Sequence, residues 1–181
     1  MAISKTSITM LSIAAALAPL PAAADTGKKN AMSESKPNTT EARNKALVEA
    51  SFAAWTNSTG SPYDLLAEDV SWTIVGQSDA SKTYPSRAAF IQEVITPFNA
   101  RMREKLKPSI RQIYAVGDAV VIFFDARGVA TDGKPYVNTY AWFWDMRDGR
   151  VVRAHAFFDS IVFNDLWRRV VPAQAAAATT R

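Results

Sequence analysis

Two different spacings of apolar residues divide the chain. Leu47, Val48, Ser51, Phe52 and Trp55 recur at three- and four-residue intervals, which predicts a first helix over about 40–57 with Asn38 or Thr40 as its cap. The cluster Asn57-Ser58-Thr59-Gly60-Ser61-Pro62 marks a turn. After it, Tyr63 to Ala67 reads as a short helix leading into a strand over Val70 to Val75. Ser86 is placed to cap a second long helix in which Phe90, Val94 and Ile95 share a face; Pro97 kinks or divides it before Arg101 to Leu106. From Ser109 onward the period falls to two. Four segments, 109–116, 119–130, 136–146 and 151–158, are rich in β-branched and aromatic residues and are separated by Gly117-Asp118, Asp132-Gly133 and Asp148-Gly149. Such dipeptides between such runs predict an antiparallel meander. Residues 160–171 then predict a closing helix with Asp159 as its N-cap. Helices first and a curved antiparallel sheet afterwards give an α+β architecture with the helices on one face of the sheet.

Composition narrows this to one domain. Of 181 residues, 48% are apolar and 21% charged, enough for a single globular core over about 40–171. Ahead of it, Lys5, the uncharged run from Thr6 to Leu20 and the small residues Ala22-Ala23-Ala24 read as a secretory signal peptide over 1–24. The expected location is therefore periplasmic or secreted, with a retained anchor as the other reading and no stable membrane anchor after cleavage. Residues 25–39, small, polar and lysine-rich, predict a disordered linker, and 172–181 a flexible tail. There is no cysteine, which excludes a disulfide or a thiolate metal site. Of the basic residues behind the net charge of +4, Arg101, Arg103, Lys105, Lys107 and Arg111 fall on an expected helix and its exit. Acidic residues are mixed among them, so they read as a solvated face with no nucleic-acid partner. No Gly-rich phosphate loop and no His/Asp/Glu cluster with metal-ligand spacing is present, and neither cofactor nor metal is expected.

The stretches "YDLLAEDVSWTIVG", "DGKPYVNTYAWFWDMRDGRVV" and "AFFDSIVFNDLW" resemble the nuclear transport factor 2-like superfamily. The branch is that of SnoaL-like polyketide cyclases, ketosteroid isomerases and limonene-epoxide hydrolases. The resemblance covers nearly all of 40–170. It implies a cone-shaped barrel of a curved, mostly antiparallel sheet with the N-terminal helices packed over an apolar pocket, commonly a homodimer through the outer sheet face. It does not fix an activity, because the fold hosts enzymes, binding modules and transport factors. The isomerase base falls at Ile74, the isomerase tyrosine at Phe52 and the later aspartate at Tyr140; the cyclase aspartate falls at Ala156. Three of these four side chains have no exchangeable proton.

If Tyr140 faces inward, as the resemblance implies, then alternation turns Tyr136, Asn138 and Trp142 inward with it. The same comparison directs Phe123, Asp125 and Arg127 inward from the strand before, Ala154, Ala156 and Phe158 from the last strand, and Trp72 and Ile74 from the first. Asp125 and Tyr140 become the candidate catalytic pair, with Trp72, Arg127, Tyr136, Asn138, Trp142 and Phe158 as ligand-binding residues. A carboxylate beside a guanidinium and phenol or amide donors can hold a substrate hydroxyl or water and take its proton. The bland reading is a buried Asp125–Arg127 ion pair with tyrosines as packing. The only histidine, His155, alternates out of the pocket toward the outer face. Three functions stand open: a cofactor-independent hydrolase, isomerase or cyclase using Asp125 on an apolar, oxygen-bearing substrate; a non-catalytic binder of a small apolar ligand; or a dimeric interaction module.

Overall fold

The computed structural model of the protein describes residues 39–172. The expected signal peptide, all but the last residue of the expected linker, and all but the first residue of the expected tail lie outside them. Helix α1 (Thr39–Thr56) buries Val48 and Phe52. A 3₁₀ turn (Pro62–Leu65) follows, started by Ser61, whose Oγ accepts from Tyr63 N, while Asp64 reaches back to the Ser61 N–H. Then come β1 (Leu66–Ile74), β2 (Thr83–Tyr84), and α2 (Arg87–Phe90), which Ser86 caps and which runs through a π-helical stretch (Ile91–Ile95) into α3 (Thr96–Ala100). Pro97 is the second residue of α3, directly after the π-helical stretch, and the helical run continues past it to Ala100.

Four long strands complete the sheet: β3 (Met102–Val116), β4 (Ala119–Ala130), β5 (Pro135–Arg147) and β6 (Arg150–Phe158). Arg101 to Leu106, expected in a helix, belongs to the end of α3 and the start of β3. The basic residues Arg103, Lys105 and Lys107 repeat every two residues, a strand period that outweighs the helix expectation. The β5–β6 hairpin turns on Asp148 and Gly149, both with positive φ (51° and 76°), the conformation that tight hairpins between twisted strands require.

Strand order is β2-β1-β6-β5-β4-β3, with β1 parallel to β6 and every other pairing antiparallel. The sheet is open and does not close into the expected cone-shaped barrel. Its edge strands β2 and β3 do not pair with each other, and helices occupy the concave side between them: α1 packs on β3 and β4, and α2 on β1. An edge position also explains Pro108 within β3, since an edge strand has N–H groups that no neighbour needs. Helix α4 (Ser160–Arg169) closes one end; Asp159 caps it by accepting from Ile161 N and Val162 N. Ion pairs Arg168–Asp79 and Arg169–Asp132 fasten α4 to the loop after β1 and to the β4–β5 turn.

Candidate functional site

Between the concave sheet face and the helices lies an apolar chamber of about 50 Å³. Strands β1, β5 and β6 supply Trp72, Ile74, Tyr140, Trp142, Ala156 and Phe158; the helical layer supplies Trp55, Phe90, Val94, Ile95 and Phe98. The rings fix one another: Trp55 stacks on Trp142 at 6.2 Å, Trp72 on Phe90 at 4.3 Å, and Phe124 on Tyr140 at 4.8 Å. A second cavity of about 190 Å³ adjoins it, sharing Trp55, Tyr63, Ile95, Phe98 and Leu106. Exposed Ser58, Asn99 and Lys105 form its outer rim, so it is the solvent-side mouth of the inner chamber. Ligand pockets usually run to about 300–1,000 Å³. This one is smaller, and the shared aromatic side chains form the wall between its two parts.

Alternation in β5 is clean: Tyr136, Asn138, Tyr140, Trp142 and Trp144 are buried and the residues between them face outward. Asn138 holds the polar part together. Its Oδ1 accepts from Thr139 N (2.8 Å) and Asp159 N (3.0 Å), which fixes the amide orientation, so Nδ2 donates to Asp159 O (3.0 Å) and to Tyr136 Oη (2.9 Å). Tyr136 Oη lies 3.1 Å from Tyr140 Oη. With Asn138 donating to it, the Tyr136 hydroxyl uses its own proton best by donating to Tyr140. Either hydroxyl can be the donor in this pair, and donation from Tyr136 leaves the Tyr140 proton free for the chamber. Burial, and next the neighbouring Tyr136, push the Tyr140 phenol well above its ordinary pKa; burial raises Tyr63 and Tyr136 as well. Each phenol therefore stays protonated, a donor rather than a base.

Asp125 and Arg127 do not belong to this site. Asp125 pairs across the ladder with Thr139, which lies on the outer face between inward Asn138 and Tyr140, and directly opposed residues share a face. The carboxylate is held by Arg111 Nε and Thr139 Oγ1, each at 2.7 Å, and Arg111, then Thr139, keep it below the ordinary carboxylate range. Arg127 is exposed on the same outer face, and the inward residues of β4 are Val120, Ile122, Phe124 and Ala126. The expected Asp125–Arg127 wall is thus corrected by one residue of strand parity. His155 is exposed opposite Phe143.

Of the other expected site residues, the structure brings Trp72, Tyr140, Trp142 and Phe158 to the chamber, with Asn138 and Tyr136 behind Tyr140. Sequence reasoning did not place Tyr63, Trp55 or Phe98 there. Trp55 was readable as part of the apolar face of α1, whereas Tyr63 depends on the Ser61–Asp64 capping box, which sets the direction of a turn too short for periodicity to show. Among the described residues no group of three or more His, Cys, Asp or Glu could hold a metal, and no helix is long and apolar enough to cross a membrane.

A family model described as a SnoaL-like domain matches residues 45–154. Among solved structures, Bal32a from a soil-derived mobile gene cassette is similar at 19% identity and TM-score 0.60, over 71% of this chain and 99% of that one. An NTF2-like protein of Burkholderia pseudomallei K96243 is similar at 18% identity and TM-score 0.58, over 70% and 98%. TerC, co-crystallised with polyporic acid, is similar at 22% identity and TM-score 0.57, over 69% and 98%. At these identities the likeness is one of fold. No curated protein matches the sequence.

Proposed function

Since the chain belongs to the SnoaL-like domain family of the nuclear transport factor 2-like superfamily, we propose that it binds a small apolar molecule through one hydrogen-bond-accepting oxygen. The Tyr140 hydroxyl meets that oxygen. The observation that carries this reading is the Asn138–Tyr136–Tyr140 chain, which ends in a protonated phenol at the wall of an otherwise aromatic chamber. No carboxylate or histidine lines that chamber among the described residues, so its chemistry is that of holding and polarising an oxygen. An aryl ketone or quinone meets the requirement, being flat enough for the stacked tryptophans and a good acceptor.

We also propose that the protein acts outside the cytoplasm, on the strength of the expected signal peptide, and that two copies associate through the outer sheet face. Phe123, Phe143, Phe157, Val137 and Tyr114 stand exposed on that face, with Phe143 and Phe157 in edge contact at 5.7 Å.

Binding of butyrophenone and of its hydrocarbon counterpart butylbenzene, followed by tryptophan fluorescence, tests the pocket reading. Wild type should prefer the ketone by about fivefold, corresponding to a net hydrogen bond of about 1 kcal/mol, and Y140F should bind both equally. A ketone preference that survives Y140F refutes the role given to Tyr140.

A further inference from the structure

The mouth of the cavity carries a feature that an apolar binding pocket does not need. Strand β3 gains one residue on β4 between Glu104, opposite Val129, and Lys107, opposite Arg127. Such a bulge breaks the alternation of side chains. Its effect is that the adjacent residues Lys105 and Leu106 both line the mouth, where a regular strand would send them to opposite faces. Gly128 makes room for the bulge: a Cβ there would lie 2.6 Å from Glu104 O and 2.6 Å from Met102 Cε. The backbone is therefore shaped so that Lys105 lines the cavity entrance beside Leu106.

Lys105 is the only charged residue lining the mouth, and it has no carboxylate partner among the described residues. The nearest acidic residue in sequence, Glu104, pairs instead with Arg103 at 3.7 Å. Arg111 is engaged by Asp125, and Arg101 turns away to Pro97 O and Trp167 O. Beside Lys105 stand Asn99, Ser58 and Ser61, neutral groups that can donate to an anionic oxygen. We propose that the mouth is an anion subsite: the ligand is an apolar acid whose carboxylate is held by Lys105, with Asn99 beside it, while its apolar part enters the chamber.

This rests on the pocket reading above and adds the class of ligand to it. The two ends of the cavity then divide recognition, an uncharged acceptor at Tyr140 and an anion at Lys105. Charge at a solvent-side rim is screened, so the discrimination it supplies is modest and depends on salt.

The test compares 3-benzoylpropanoate with its neutral amide, 3-benzoylpropanamide, alongside butyrophenone, using tryptophan fluorescence on the full protein. Wild type should bind the carboxylate about three- to tenfold more tightly than the amide at low salt, and the difference should shrink in about 0.5 M NaCl. K105A should bind the two alike and K105E should prefer the amide. Both variants should bind butyrophenone as wild type does, which shows that they are folded and that the chamber is intact. Equal binding of acid and amide by wild type, with butyrophenone still bound, overturns the anion subsite alone. A preference for the acid that persists in K105A and K105E overturns it too. Failure of butyrophenone to bind wild type, while the acid binds in a Lys105-dependent way, overturns the aryl-ketone reading and leaves the anion subsite supported.

Discussion

Replacing Asn138 by leucine, which shares its branched heavy-atom skeleton and is bulkier, removes the centre of the polar chain without opening a cavity. Four groups lose Asn138 as a partner: the Thr139 N–H, the N–H and C=O of Asp159, and the Tyr136 hydroxyl, which keeps Tyr140. Asp159 sits at an exposed strand–helix junction, so water can replace the side chain for its two groups. The Thr139 N–H and the Tyr136 hydroxyl, on a residue only 1% exposed, are less easily rescued. At about 1–3 kcal/mol for the unsatisfied Thr139 N–H and about 1 kcal/mol for the lost Asn138–Tyr136 bond, N138L should lose about 2–4 kcal/mol out of a domain stability of about 5–15 kcal/mol. The melting temperature should fall by about 3–4 °C per kcal/mol in a domain of this size. Urea unfolding followed by tryptophan fluorescence measures the loss directly, with the slope unchanged. A loss under about 0.5 kcal/mol would refute the claim that Asn138 ties Tyr136 to the start of α4. The companion N138D keeps the acceptor toward the N–H groups of Thr139 and Asp159 and loses the donors toward Tyr136 and Asp159 O. Tyr136 then donates to the new carboxylate and Tyr140 donates back to Tyr136, so the preference for butyrophenone over butylbenzene should vanish while both still bind.

Two further outcomes follow from the surface. Asp79 and Asp132 are held below the ordinary carboxylate pKa, each chiefly by a hydrogen bond from its arginine, Arg168 and Arg169. A depressed folded value means the contribution is complete above an ordinary carboxylate pKa of about 4 and is lost as pH falls through the lower folded value. Melting temperatures from pH 6 to pH 2.5 should therefore fall less steeply in D79N/D132N than in wild type; parallel curves would count against these clamps. On the outer face, F143E should turn a dimer into a monomer in sedimentation velocity without changing butyrophenone binding, and a wild type that is monomeric at about 100 μM removes that interface.

The sheet was the most legible part of the sequence. Asp-Gly and Gly-Asp turns between aromatic runs located three hairpins, and Asp159 was readable as a cap because a helical period begins right after it. The face of β4 was harder. Both parities of AVVIFFDARGVA carry apolar residues, and only the charges at Asp125 and Arg127 mark the odd one as outward. Weighting the family pattern above that local signal turned the strand over and placed a carboxylate in a pocket that has none. The mouth was illegible for another reason. A bulge is a relation between two strands, and no periodicity within β3 announces that Lys105 and Leu106 will share a side.

The parallel pairing of β1 with β6 has a consequence for how the chain is made. Leu66 pairs with Val151 and Ile74 with Ala156, partners more than eighty residues apart, while the antiparallel neighbours of β6 are local. During synthesis β1 emerges early and must wait for the last strand, and α4, which clamps to Asp79, comes later still. Closing such a long loop is slow, so β3 to β5 can zip first, with β1 joined to the sheet last. A nascent chain stopped before Arg150 would carry β1 with only the two-residue β2 to pair with. Commitment to the native state is thereby deferred until β6 has emerged.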